Sequence, residues 1–113
     1  TENDLKRFLT RGRKAQRAVD RLSEKSWQAQ VVKLAGLFGW RQYHTLRSKG
    51  SVAGFPDLIM LRGGRMIVAE LKREGKILTD EQREWIEDFR RVSNVEVYVW
   101  RPSDWETVQK VLR

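Results

Sequence analysis

The chain has 113 residues, and its 23 Lys and Arg outnumber 15 Asp and Glu for a formal charge of +8. That size fits one compact domain, and that charge favours a polyanionic partner, nucleic acid ahead of an anionic membrane. Cysteine is absent, which excludes disulfides and thiolate zinc sites. No apolar run approaches the roughly 20 residues of a membrane span, and no signal-peptide core is visible, so the expectation is a soluble intracellular protein.

Residues 1–22 form a basic leader. Lys6, Arg7, Arg11, Arg13, Lys14, Arg17 and Arg21 outnumber Glu2, Asp4 and Asp20. Leu5, Phe8, Leu9, Ala15, Val19 and Leu22 give it a thin apolar stripe, interrupted at Gly12. The pattern reads as a short helix or two, either lying along nucleic acid or solvated and packed on the body. Ser23 then suits an N-cap, and Trp27, Val31, Leu34, Ala35 and Phe38 recur at helical spacing up to a stop at Gly39. Glu24, in the first turn, is either an acid favoured by the helix dipole or a carboxylate aimed at a site.

Gln42 to Leu46 reads as a first strand and contains the single histidine, His44, for which a hydrogen-bonded structural role is the simpler reading. A polar, basic loop over 47–54 follows. Asp57-Leu58-Ile59-Met60-Leu61 and Met66-Ile67-Val68-Ala69-Glu70-Leu71-Lys72 are two apolar strands joined at Gly63-Gly64, the signature of a tight hairpin. Pro56 stiffens the entry. Thr79 suits an N-cap with Gln82 completing a capping box. A helix follows to about Val92, with Trp85, Ile86, Phe89 and Val92 on its inner face. Gln82 is equally compatible with capping and with touching a substrate near Lys72. Val95–Trp100 alternates as a last strand, and Pro102-Ser103-Asp104 opens a final helix with Trp105, Val108, Val111 and Leu112 inward. The order is α–β–β–β–α–β–α behind a basic helix, an α/β fold with a mixed sheet flanked by helices.

Two acids and a lysine interrupt the hairpin. Alternation sets Glu70 and Lys72 on one face of their strand. Charges inside an apolar run are rare unless paired or coordinating, and paired carboxylates need a proton or a cation between them. Oxygen ligands select hard cations such as Mg²⁺ or Mn²⁺. A strand-end salt bridge of Lys72 with Glu70 or Asp57 is the competing explanation.

Glu24, then Gly54-Phe55-Pro56-Asp57-Leu58, then Ala69-Glu70-Leu71-Lys72, then Gln82, taken in that order, resemble the virus-type replication-repair nuclease domain of the PD-(D/E)xK nuclease superfamily. The helix opening at Ser23, Tyr43-His44-Thr45 and the closing Tyr98-Val99-Trp100-Arg101-Pro102-Ser103-Asp104-Trp105 are similar to its small phage and bacterial members. The likeness spans about residues 23–112, which sets a nuclease domain over 23–113 behind the leader. The resemblance implies a metal-dependent DNA endonuclease of a bacterial or phage-infected cytoplasm. Asp57 and Glu70 then bind Mg²⁺ or Mn²⁺ with the Leu71 carbonyl, Lys72 positions the attacking water, and Glu24 and Gln82 assist. Arg47, Lys49, Arg73 and Lys76 are the local candidates for phosphate contacts. Small stand-alone members resemble Holliday-junction resolvases, which implies branched DNA and a homodimer. A monomeric nicking or flap nuclease and a non-catalytic binding module are the alternatives.

Overall fold

A computed structural model describes residues 13–45 and 52–113. Helix α1 (Arg13–Asp20) is followed by α2 (Glu24–Leu37), the strands β1 (Arg41–His44), β2 (Leu58–Arg62) and β3 (Arg65–Leu71), then α3 (Asp80–Arg90), β4 (Val95–Trp100), a 3₁₀ turn (Pro102–Asp104) and α4 (Trp105–Leu112). The described strands form one sheet in the order β1-β2-β3-β4. β1 and β2 are antiparallel, as are β2 and β3, while β3 and β4 run parallel with α3 as the crossover. This is the mixed α/β architecture expected from the order of apolar periods.

Local chemistry sets the elements. The hydroxyl of Ser23 accepts a hydrogen bond from the Ser26 N–H at 3.1 Å and starts α2. Thr79 and Gln82 form a reciprocal capping box at α3. Gly63 and Gly64 both take positive φ, 55° and 82°, which is the two-residue turn whose twist suits a β-hairpin. Arg62 consequently pairs with Arg65 across the turn, and Leu58 with Ala69 at the far end.

The main core lies between one sheet face and the helices α1, α2 and α4. Leu58, Met60, Ile67, Ala69, Leu71 and Trp100 meet Val19, Trp27, Val31, Leu34, Trp105, Val108 and Leu112 there. Trp27 and Trp105 meet edge to face, their centroids 5.9 Å apart. Val68 turns to the other face by alternation, and with Ile86 of α3 it is buried outside that cluster, so α3 covers the second face. Val19 is 2 % exposed, so the described end of the basic leader is packed into the body.

Several boundaries differ from the sequence reading: the hairpin strands run Leu58–Arg62 and Arg65–Leu71 rather than Asp57–Leu61 and Met66–Lys72. The first strand is Arg41–His44 rather than Gln42–Leu46. It begins once the Trp40 side chain has entered the core, and Thr45 donates its N–H to the Asp57 carbonyl as the chain leaves the strand; Leu46 lies outside the described residues. Helix α3 ends at Arg90, and Val92 is 51 % exposed rather than inward. The Arg91 N–H bonds to Asp88 and the Val92 N–H to Phe89, so tightened three-residue turns replace the 3.6 period that would have carried Val92 inward.

Candidate active site

The chemically charged end of the sheet is the one away from the Gly63-Gly64 turn. There β2 begins, β3 ends and α2 starts. Asp57, Glu70 and Lys72 are the buried charged side chains among the described residues, with exposures of 9 %, 1 % and 3 %. Each is held by a different local device.

Asp57 follows the Gly54-Phe55-Pro56 entry. Gly54 has φ +83°, and a Cβ there would lie 2.5 Å from the Glu81 carbonyl carbon and 2.7 Å from the Gln82 nitrogen, so only glycine lets this loop rest on the start of α3. Phe55 packs edge-on against Trp85 and Phe89 at 5.0 and 5.9 Å. The Thr45 hydroxyl donates to the Pro56 carbonyl, and the Thr45 N–H to the Asp57 carbonyl at 2.9 Å. So fixed, the Asp57 carboxylate accepts a hydrogen bond from the Leu71 N–H at 2.8 Å. It takes the place a strand carbonyl would have occupied had β2 begun earlier.

Continuing the Leu58–Ala69 register by one step sets Asp57 opposite Glu70. Lys72 prolongs β3, its N–H donating to the Trp100 carbonyl at 3.0 Å; the Trp27 indole N–H donates to the same oxygen at 3.0 Å. That shared acceptor fixes the first turns of α2 against the end of β3, and the Glu24 carboxylate stands 4.0 Å from the Lys72 ammonium. A cavity of about 230 Å³ opens beside this end, lined by Lys25, Gln28, His44, Thr45, Asp57 and Leu71 among others. His44 is exposed.

The structure thus gathers Glu24, Asp57, Glu70, Leu71 and Lys72 at one end of the sheet. Gln82 is engaged in the α3 cap, where its side-chain oxygen accepts from the Thr79 N–H at 2.9 Å. Arg73 and Lys76 are exposed on the loop leaving β3, and Arg47 and Lys49 lie outside the described residues. Among the described residues no three His, Asp or Glu side chains are gathered closely enough to form a metal cage. Sequence reasoning missed Thr45 as the clamp on Pro56 and Asp57, although Tyr43-His44-Thr45 stood out as a motif. It also missed Arg101, which donates to the Lys76 carbonyl at 2.8 Å, and Glu74, which accepts from the Ser103 N–H at 2.6 Å. These contacts join segments far apart in the chain and leave no local signature.

The opposite end of the sheet is charged in another way. Arg65 donates to both Glu96 carboxylate oxygens at 2.8 Å, and the Tyr98 hydroxyl donates to the same group at 2.9 Å. The hydrogen bond from Arg65 holds the Glu96 carboxyl below its ordinary value, with burial opposing and Tyr98 assisting. The same bond raises Arg65, and burial followed by the Glu96 contact raises Tyr98. Arg62 lies over the Trp40 ring at 4.4 Å and donates to the carbonyls of Phe38 and Leu112.

Known proteins bear on these observations. No curated protein matches the chain. A solved structure described as a VRR_NUC domain protein superposes with a TM-score of 0.60 at 25 % identity, covering 80 % of this chain and 85 % of that one. No described helix is long and apolar enough to cross a membrane. The VRR-NUC domain profile matches residues 7–104, and the chain therefore belongs to the VRR-NUC domain family, a nuclease-type family.

Proposed function

We propose that the chain is a divalent-metal-dependent endodeoxyribonuclease, selective for branched DNA in the manner of a Holliday-junction resolvase. In this reading it acts as a homodimer in replication, repair or recombination. The observation that carries the reading is the burial of Asp57, Glu70 and Lys72 together at one strand end of a nuclease-type domain. Buried charges of this kind are costly for folding and are concentrated where chemistry needs them.

The donor set fits the expected cation. Asp57, Glu70, the Leu71 carbonyl and Glu24 offer oxygen only, which suits Mg²⁺ or Mn²⁺. The lack of a three-acid cage is compatible with Mg²⁺, which commonly takes one or two carboxylates and completes its shell with water and substrate phosphate. Bound there, the metal would supply Lewis acidity toward the phosphate and a more acidic water. Lys72 would donate a hydrogen bond to the attacking water and offset charge on the phosphate, with Glu24 holding its ammonium in place. Attack at phosphorus forms one P–O bond and breaks the bond to the leaving sugar oxygen. Arg73 and Lys76, with Arg47 and Lys49 from the neighbouring loop, would contact backbone phosphates. Gln82 would act mainly through the α3 cap that supports Gly54.

The Lys72–Glu24 approach also favours a second reading, a non-catalytic DNA-binding module whose buried charges are structural. A cleavage assay with and without Mg²⁺ or Mn²⁺, on a four-way junction, a flap and a linear duplex, separates the two. Paired nicks in the junction, absent for Asp57→Ala, are the expected result. Cutting only flaps or duplex retains the nuclease and removes the resolvase, whereas tight binding with no cutting supports the binding module.

A further inference from the structure

Helix α1 is docked rather than trailing. Val19 is 2 % exposed in the main core, and the Gln16 side-chain amide donates to the Pro102 carbonyl at 3.2 Å and to Asp20 at 2.9 Å. The Pro102–Asp104 turn is tied on its other side to the loop that follows Lys72. Arg101 donates to the Lys76 carbonyl, and the Ser103 N–H to the Glu74 carboxylate. A continuous run of hydrogen bonds therefore fixes α1 relative to Arg73, Lys76 and the candidate centre.

Arg17 of α1 and Arg21 in the turn that follows it are exposed, and each is two residues from the buried Val19, so both look outward from the body. Among the described residues neither side chain makes a hydrogen bond or an ion pair; the Arg21 N–H donates to the Ala18 carbonyl at 3.3 Å. Like charges four residues apart repel, an arrangement that a polyanion would relieve. Arg21 is three residues from Glu24, within about 11 Å of chain. The second sheet face has the opposite character: α3 exposes Asp80, Glu81, Glu84, Glu87 and Asp88 against Arg83 and Arg90. A polyanion is disfavoured on the exposed, acidic surface of α3 relative to the α1 side.

We infer that α1 and the turn after it are a fixed phosphate-binding platform beside the centre, with Arg17 and Arg21 contacting the backbone of the DNA being cut. The inference rests on the nuclease reading above. The test is equilibrium binding of a linear duplex and a four-way junction across a range of salt, with chelator present. Arg17→Gln/Arg21→Gln is compared with Arg83→Gln/Arg90→Gln, which removes the same charge from α3. The first pair is expected to lower the log K against log salt slope by about 1.8 and to weaken binding about tenfold, since each phosphate contact contributes about 0.9. Its thermal midpoint should not move, because neither side chain is buried. The α3 pair should leave the slope unchanged. Equal losses from both pairs, or an unchanged slope for the α1 pair, would overturn the platform. If cleavage by the wild type still vanishes in Asp57→Ala, that outcome leaves the nuclease standing; a wild type that neither binds nor cuts DNA removes both.

Discussion

The two ends of the sheet carry charged side chains under different rules. At the hairpin end, Arg62 and Arg65 reach carbonyls and a carboxylate at 2.8–3.3 Å, and Arg65 and Glu96 remain 38 % and 31 % exposed. Each charge meets a partner of complementary geometry and keeps part of its hydration, which makes such pairs modestly stabilising. At the far end, Lys72 and Glu24 are 3 % and 14 % exposed and stand 4.0 Å apart, the outer limit of an ion pair. Burial there costs hydration, and an ion pair at that separation recovers little of it. The hairpin end is arranged for stability, whereas on the proposed reading the far end gives up stability for its chemistry.

The largest expected effect is on turnover. Lys72→Ala should reduce metal-dependent cleavage by about 10²–10⁴-fold, the usual contribution of a positioned proton-transfer group. Binding of the same DNA should survive. Lys72→Met separates lost charge from lost volume, and cleavage retained by a homogeneous preparation of either variant would defeat the assignment.

Stability should change in opposite directions at the two ends. Replacing the far-end pair together by apolar residues, Glu24→Leu/Lys72→Met, should leave the unfolding free energy unchanged or raise it by up to about 4 kcal/mol. Replacing the hairpin-end pair, Arg65→Met/Glu96→Gln, should lower it by about 1 kcal/mol after allowance for solvent screening. Urea denaturation of both double variants measures the contrast, and a loss at both ends would erase the distinction.

The smallest effect concerns pH. Glu96 has a folded value below its ordinary 4.5, so its contribution is fully present above that value and is lost as pH falls through the depressed one. The deficit of Glu96→Gln relative to wild type should therefore be constant between pH 7 and 5 and shrink only below 4.5. Thermal midpoints across that range test it; a deficit that shrinks already between pH 7 and 5 would assign the effect to another group.

What was legible in the sequence follows the range of each interaction. The Gly63-Gly64 hairpin, the Thr79–Gln82 capping box and the tryptophan stripes rest on residues within a turn or two of one another, and they could be read directly. The concentration of charge at Asp57, Glu70 and Lys72 was legible too, because an acid or lysine inside an apolar strand is conspicuous. Three other features were not. The Arg65–Glu96–Tyr98 group joins two strands paired across the sheet, Gly54 meets a helix 27 positions later, and which of the leader's two readings, along nucleic acid or packed on the body, holds for α1 is shown only by the burial of Val19. Gln82 carried two compatible readings, and only the cap geometry identifies the contact it makes here.

The hydrogen bond from the Leu71 N–H to the Asp57 carboxylate makes one backbone proton a spectroscopic gauge of the centre. Any event that turns this carboxylate, whether protonation, a bound cation or an approaching phosphate, changes the resonance position of that amide and its rate of exchange with deuterium. Leu71 is fully buried, so bulk solvent contributes little to the signal. The fold thus holds a native probe at the proposed centre, readable without a substrate.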